Sequence, residues 1–558
     1  MRKIFILLFT AVLFHFNTSA QTNDLINYIP ANSSVVVDID CGSFSQKISM
    51  QDLVGLKLFD SLVKKIKTES KEKFTNPSES GIDYHDHLYM TIAVKNDEPD
   101  GYFTIYGKVN DEAKLSQLLE RSDDKKVTTK TFGKNKMILK ENYLFAWNNF
   151  MFAVYAKPDK KKEVAPKLTE TQKKKQLADL EKKGIELLTP KTQTILSNKH
   201  FETLAQEKGD LKIWIDNNSI IKGKGNNPFA AFKFGNPLQA DHKAIIVNFD
   251  KGKILSNTYT YYDDTVLRLA QNLYGEKVNA ELIRKIPAGN ILGFYAVSFK
   301  PEGIKDFFEN SGVMRVFEDN DTTKEAVKAK ASLKEVLNNL KGDLVVAAAL
   351  PDQIEEGDQG AKNPFSSFNI YIAATVNDEA KMNKLIDSIK ALEKQKKKEV
   401  DTLEDGQIVR NSNFFKGLKS TVKVENGAVF FTAGNLANSS LVSTSNYDAL
   451  IEQYGQRPIM MLFDMKTMMS MIAGVINKER RYSETDNSMF AMFEVFDKMI
   501  TSGGKFENGV MITTQEVKFT NPDESSLKQM MKMFDLAISA FSKFPAKTTV
   551  KDVEVKEN

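Results

Sequence analysis

The chain has 558 residues, more than a single hydrophobic core usually supports, and this length predicts at least two domains. It holds 77 Lys and Arg against 73 Asp and Glu, which leaves a formal net charge of +4. A balance this close gives no overall field that would attract nucleic acid, and we expect no nucleic-acid partner. The single cysteine, Cys41, excludes an intramolecular disulfide, so the core alone has to stabilise the fold.

The first twenty residues have the composition of a secretory signal peptide. Arg2 and Lys3 precede the apolar run IFILLFTAVLFHF, and small residues then provide a cleavage site before Gln21. This pattern predicts that residues 1–20 are removed and that the mature protein is periplasmic or extracellular. Cys41 lies too far from the cleavage site to carry a lipid anchor, so we do not expect a lipoprotein. No other apolar run predicts a membrane-spanning helix, so we expect no integral membrane span after cleavage.

The hexapeptide VNDEAK occurs twice, at 109–114 and at 376–381. Each copy follows the alternation of apolar and polar residues that is typical of a half-buried strand. Each copy also precedes apolar residues at helical spacing. We therefore interpret the hexapeptide as a corner between a strand and a helix, with Asn110 or Asn377 as the helix cap.

Other matches in the same order link the two halves of the chain, such as LINYIPANSSVVVDI at 25–39 with LIRKIPAGNILGFYA at 282–296. We interpret them as a tandem duplication, with one module at 21–278, a second at 279–548 and a polar tail at 549–558. Within each module, strands outnumber simple crossovers, and hairpin signals join neighbouring strands. The predicted fold class is α+β, in which a mainly antiparallel sheet carries helices packed on one face.

The mature chain opens with YIPANSSVVVDID, which is followed by a predicted helix and then by NPSESGID before a strand. This order resembles a secreted Bacteroidota family known only as a domain of unknown function, in which an IP opening leads into an apolar strand. The signal that ends in Ala before Gln is similar to exports of that phylum. The resemblance spans nearly the whole mature chain and implies export and this fold. It brings no catalytic residues, because none are established for the family.

The segment DYHDHL holds the strongest candidate for a metal site. His85 and His87 are two residues apart, so an extended backbone would place both imidazoles on one face, where they could bind Zn²⁺. A metal-dependent hydrolase centred on these histidines is therefore one hypothesis, although no HExxH or paired CxxC motif supplies further ligands. His200 and His242 could approach only through folding. The alternative is that His85 and His87 lie at the exposed start of a strand, and we expect no cofactor.

Methionines concentrate in the second half of the chain and suggest an adaptable binding surface. Met465, Met468 and Met469 recur at helical spacing, while Phe229 and Phe232 offer an aromatic wall opposite them. Together they predict a groove for an apolar ligand between the modules, with simple core packing as the alternative. The leading hypothesis is an exported, non-enzymatic binding or scaffold protein of the cell envelope, whose partner is an apolar ligand or an envelope protein.

Overall fold

The computed structural model describes part of the 558-residue chain. The described residues are 24–49, 52, 80–95, 98–120, 128–140, 143–156, 169–222, 240–287, 290–304, 335–336, 338–350, 369–396, 407–410, 418–434, 444–469 and 494–542. The predicted signal peptide and the predicted polar tail lie outside these residues.

Nineteen strands of the described chain form one sheet, in which every pair of neighbours is antiparallel. The strands are β1 (Val35–Asp40), β2 (His87–Lys95), β3 (Glu98–Lys108), β4 (Thr128–Phe132), β5 (Asn135–Lys140), β6 (Tyr143–Trp147), β7 (Met151–Ala156), β8 (Leu211–Asp216), β9 (His242–Asp250), β10 (Lys253–Tyr261), β11 (Asn290–Ser298), β12 (Leu340–Leu350), β13 (Asn369–Val376), β14 (Gln407–Arg410), β15 (Leu418–Glu425), β16 (Ala428–Ala433), β17 (Ile459–Asp464), β18 (Phe496–Glu507) and β19 (Val510–Phe519).

The helices of the described chain lie between and beside these strands. They include α1 (Cys41–Lys47), α2 (Glu112–Glu120), α3 (Glu170–Leu187), α4 (Lys199–Gln206), α5 (Asn217–Lys222), α6 (Asp264–Leu273), α7 (Ala280–Arg284), α8 (Glu379–Lys396), α9 (Asp448–Tyr454) and α10 (Ser526–Ser542), with 3-10 helices at Asp24–Tyr28 and Ile195–Ser197.

The pairings place the strands across the sheet in the order β4-β5-β6-β7-β3-β2-β1-β8-β9-β10-β19-β18-β17-β11-β12-β13-β16-β15-β14. The central pair is β10 with β19, which runs from Lys253 opposite Lys518 to Thr260 opposite Met511. This pair joins the strands of the first half of the chain to those of the second half.

The prediction of an α+β tandem duplication is wrong. Two such modules would each carry helices on one face of a separate sheet, whereas the strands of both halves here form one antiparallel sheet. Had the modules been separate, β10 and β19 would both have been edge strands with unpaired backbone N–H and C=O groups. Their pairing satisfies these groups and removes both edges, which explains why one continuous sheet forms.

The sheet around β1 is buried on both faces, which also differs from the predicted single helical layer. On one face, Val36 and Trp214 belong to a core that includes Leu180 of α3 and Phe201 and Leu204 of α4. On the other face, the core contains Ile39 and Phe249 together with residues of α10. Helices therefore contact both sides of this part of the sheet.

The last helix, α10, lies against the first half of the chain. Its residues Leu527 and Met531 are buried in the same core as Ile39 and Phe249. The division at residues 278 and 279 stays a prediction. A fragment ending at residue 278 would lack α10 and therefore two side chains that fill this core.

The interpretation of VNDEAK as a strand-to-helix corner is confirmed at both copies. Strand residues lead into α2 and α8, and the helices begin two residues after the asparagines. The capping side chains are Asp111, which accepts from the backbone N–H of Lys114 at 3.0 Å, and Asp378, which accepts from that of Lys381 at 2.9 Å. The caps are therefore the aspartates and not Asn110 or Asn377.

Candidate functional site

A pocket of about 740 Å³ lies beside β1, β2 and β8, between the sheet and the C-terminal end of α4. Its size is within the range of small-molecule sites in proteins. The described residues that line it are Ile26, Asp40, Ser43, His87, Tyr89, Leu196, Glu202, Ala205, Gln206, Glu207, Lys208, Gly209, Asp210, Lys212 and Asn248.

Strand β1 contributes Asp40 to the lining of this pocket. Its sequence, VVVDID, is rich in β-branched residues, and successive side chains point to opposite faces of the sheet. Val36, Asp38 and Asp40 therefore share one face. Because β1 lies between β2 and β8, Asp38 has Lys212 opposite it on one side, while Asp40 has His87 opposite it on the other.

Three side chains on this face form a charged group, which we name the Asp38 triad: Asp38, His87 and Lys212. Asp38 Oδ1 lies 2.5 Å from His87 Nδ1, and Asp38 Oδ2 lies 3.0 Å from Lys212 Nζ. The side chains of Asp38 and Lys212 are each only 7% exposed. Charges buried to this extent are costly unless they are paired, and here each oxygen of the carboxylate has a partner.

The contact with Asp38 determines the hydrogen-bonding character of His87. A carboxylate only accepts hydrogen bonds, so the hydrogen is assigned to Nδ1 and the neutral ring keeps Nε2 as an acceptor. No described residue donates to Nε2, and His87 lines the pocket. Burial lowers the pKa of His87, but the hydrogen bond to Asp38 and the charges of Asp38 and Asp40 outweigh burial and raise it above its ordinary value.

Lys212 joins strand β1 to the C-terminal end of α4. Besides Asp38, its Nζ donates to the carbonyl oxygens of Ala205 at 3.1 Å and Glu207 at 3.3 Å, at the C-terminal end of α4. These carbonyls lack partners within the helix, and a cation is favoured at this end of the helix dipole. The side chain of Asn198 caps the other end by accepting from the N–H of Phe201 at 3.2 Å. Both ends of α4 are thus held in place.

A second buried carboxylate, Asp210, holds α1 against the pocket. It accepts hydrogen bonds from the hydroxyl of Ser43, the ammonium of Lys47 and, at 2.6 Å, the backbone N–H of Phe249. The Ser43 hydroxyl therefore donates to Asp210, and among the described lining residues no serine hydroxyl donates to His87. The described lining does not form a serine–histidine nucleophile.

The structure does not bring His85 and His87 together as a metal site. His87 is the first residue of β2, as predicted for the start of a strand, but residues 84–86 form bends, so the extended backbone required for a shared face is missing. His87 Nδ1 contacts Asp38 instead. Within the described ranges, no group of three or more His, Cys, Asp or Glu residues is arranged to hold a metal ion.

Folding does bring His200 and His242 together, with 6.4 Å between their ring centroids. His200 stacks on Tyr261 at 4.0 Å, and His242 stacks on Trp214 at 5.0 Å. Burial and the neighbouring His242 lower the pKa of His200. The four rings form an aromatic group at the N-terminal end of α4, whereas the pocket lies at the other end of that helix.

The methionine groove stays a prediction. Met469 is buried, while Met465 and Met468 are partly buried, and all three lie in helical residues 465–469 that directly follow β17. Phe229 and Phe232, which would face them, lie outside the described residues.

Sequence reasoning missed Asp38, Asp40, Asp210 and Lys212. A signal was present, because VVVDID and LKIWID each place a charged residue on the same face as buried apolar ones. Such a charge in a half-buried strand predicts a partner nearby. The partner of Asp38 could not be identified without the strand register, since Lys212 is far away in the sequence.

Among the residues that the structure describes, no helix combines the length and the apolar character needed to cross a bilayer.

No curated protein matches the chain. Among solved structures, crystal form I of TP0453 is 10% identical, with 44% of this chain and 81% of that chain covered and a TM-score of 0.24. Crystal form IV of TP0453 is also 10% identical, with 46% and 89% covered and a TM-score of 0.25. TM-scores this low carry no argument about fold or function.

A family model described as Domain of unknown function (DUF4836) matches residues 25–404, which is more than half of the chain. All members of the Asp38 triad lie within this match. The chain belongs to this family, DUF4836, a domain of unknown function.

Proposed function

We propose that the protein is an exported, non-enzymatic binding protein of the cell envelope, and that it takes a small ligand in the pocket beside β1, β2 and β8. The observation that supports this function is a pocket of about 740 Å³ in which two lining residues, His87 and Lys212, are held by the buried carboxylate of Asp38. His87 presents a ring nitrogen there whose orientation is fixed through Asp38. A polar contact that is held in place before binding favours ligand recognition.

A binding role fits the described lining better than catalysis. The Ser43 hydroxyl is engaged by Asp210, and His87 has a carboxylate partner but no described nucleophile to activate. The pocket has a continuous lining with two residues held by a buried carboxylate, whereas Phe229 and Phe232 of the predicted methionine groove lie outside the described residues. An apolar ligand or an envelope protein at that groove remains a separate hypothesis.

Export and the envelope are supported by the N-terminal sequence and by its resemblance to a secreted Bacteroidota family. N-terminal sequencing of the chain recovered from the periplasm or medium tests this part of the proposal. A mature chain that begins at Gln21 supports it, whereas a chain that keeps residues 1–20 and stays in the cytoplasm contradicts it.

The pocket itself is tested by filling it. Ala205 lines the pocket at the C-terminal end of α4, so the indole introduced by Ala205→Trp would occupy space that a ligand needs. Thr203→Trp is the matched control, because Thr203 is exposed on the same helix and does not line the pocket. We expect small fragments, screened by ligand-observed NMR on the full chain, to bind wild type and Thr203→Trp but not Ala205→Trp.

Two results would contradict the proposal. One is a screen in which no fragment binds the wild-type protein. The other is a set of fragments that all bind Ala205→Trp as well as they bind the control, which would place their binding outside the pocket.

A further inference from the structure

We infer that the pocket takes a small amine, whose ammonium group binds between the carboxylate of Asp40 and Nε2 of His87. This inference rests on the proposed function and adds the chemical class of the ligand.

The two groups are neighbours across the β1–β2 pair. Asp40 and His87 are directly opposite each other, and such residues have Cβ atoms about 5 Å apart. Both line the pocket. Asp40 Oδ1 accepts from the backbone N–H of Ser43 at 2.8 Å and so caps α1, while no described residue donates to its other oxygen. Each group therefore presents one atom to a ligand.

Both of these atoms are hydrogen-bond acceptors. Asp40 presents a carboxylate oxygen, and the neutral ring of His87 presents Nε2. A carboxylate or phosphate ligand would bring further acceptors and a repelling negative charge to Asp40. A hydroxyl group has only one hydrogen to donate. An ammonium group offers three donors and a charge opposite to that of Asp40, which makes the contact charge-assisted.

The remaining charges of the lining also favour a cation. Lys212 is paired with Asp38, and Asp210 is paired with Lys47. The other charged residues of the described lining are three carboxylates and one ammonium, namely Asp40, Glu202, Glu207 and Lys208. The excess of negative charge raises the local concentration of cations.

Lys212 does not provide an anion site. Its ammonium donates to the carbonyls of Ala205 and Glu207 and contacts Asp38. An ammonium has three donors, so these partners account for all of them. The apolar part of the lining, Ile26, Leu196 and the ring of Tyr89, suits a small hydrocarbon body attached to the amine.

Three probes of similar size and shape test the inference: phenethylamine, 2-phenylethanol and 3-phenylpropionate. Each carries a phenyl ring on a short chain, and they differ in ending with a cation, a neutral hydroxyl or an anion. The Kd of each for the full chain is measured by calorimetry at a pH above the raised pKa of His87, where the ring is mainly neutral. We expect the amine to bind at least about tenfold more tightly than the other two, because its contact is charge-assisted.

Asp40→Asn removes the charge but keeps the helix cap, since Asn and Asp cap helices about equally well. Asp111→Asn is the matched control, because Asp111 caps α2 in the same manner and does not line the pocket. We expect Asp40→Asn to weaken phenethylamine binding about tenfold and Asp111→Asn to leave it unchanged.

The inference and the proposed function fail in different ways. The inference is overturned if Asp40→Asn binds phenethylamine as tightly as wild type does. It is also overturned if the alcohol or the acid matches the amine, or if none of the three binds while other fragments occupy the pocket. The ligand-binding part of the proposed function fails if no compound distinguishes wild type from Ala205→Trp.

Discussion

Two parts of the sheet have the same antiparallel pairing of three strands but bury different kinds of side chain. Strand β1 lies between β2 and β8, and strand β11 lies between β12 and β17. In the first part, Asp38 lies opposite Lys212. In the second part, Ala296 lies opposite Met460, and both of these side chains are 0% exposed within an apolar core.

The difference shows that three strands of this sheet can pack without a buried ion pair. Charges pay a large desolvation penalty on burial, and replacing a buried pair with well-packed apolar residues is often neutral or stabilising. Stability alone is therefore a weak explanation for Asp38 and Lys212. Their contacts with His87 and with the end of α4, which border the pocket, support a role in fixing both for a ligand.

The largest expected effect comes from breaking the ion pair on one side. Lys212→Met removes the ammonium and leaves the carboxylate of Asp38 buried with the ring of His87 as its remaining side-chain partner. We expect this variant to lose about 3–5 kcal/mol in the free energy of unfolding, measured by chemical denaturation.

The control replaces a lysine of an exposed ion pair. Lys505 and Glu507 are 3.2 Å apart, and their side chains are about half exposed. Lys505→Met should change the free energy of unfolding by less than about 1 kcal/mol, because water screens such pairs. Equal losses in the two lysine variants would mean that burial of the Asp38 triad has no energetic consequence.

A smaller effect is expected from pH, and His87 determines its sign. The pKa of His87 is raised in the folded protein, so the folded state gains from protonation of this ring. The stability it contributes is fully present below the ordinary histidine pKa of about 6.5 and is lost as the pH rises through the raised value. The free energy of unfolding of His87→Gln, measured across this pH window, should not show this loss as the pH rises.

His200, on helix α4, should show the opposite dependence of stability on pH. Its pKa is lowered, so its contribution to stability is present above the ordinary histidine pKa and is lost as the pH falls toward the lowered value. In His200→Gln, the free energy of unfolding should therefore not show this loss as the pH falls below the ordinary histidine pKa. Identical pH profiles for the two variants would contradict the opposite environments of these rings.

Local features of the fold could be predicted from the sequence. The VNDEAK corners follow from a strand pattern, an acidic first turn and helical spacing, all of which are short-range properties. The single sheet could not be predicted in this manner. The joining pair, β10 with β19, involves residues such as Asn257 and Thr514 that are distant in sequence and polar, and periodicity does not identify their partner.

The same limit applies to the site. The sequence marks His87 as a notable residue at the start of a strand, but it suggests His85, two residues away, as the partner of His87. The actual partner is Asp38, which reaches His87 only through the register of β1 with β2. Side chains that meet across strands depend on register, and register depends on long-range pairing.

The most direct test copies the apolar pair of the second region into the first. In Asp38→Ala combined with Lys212→Met, no charge of the original ion pair remains buried, while His87 loses the carboxylate that orients it. We expect the free energy of unfolding to return to within about 2 kcal/mol of wild type, and phenethylamine binding to weaken at least about tenfold. A double variant that regains stability and still binds phenethylamine as tightly as wild type would contradict the claim that these charges serve the pocket.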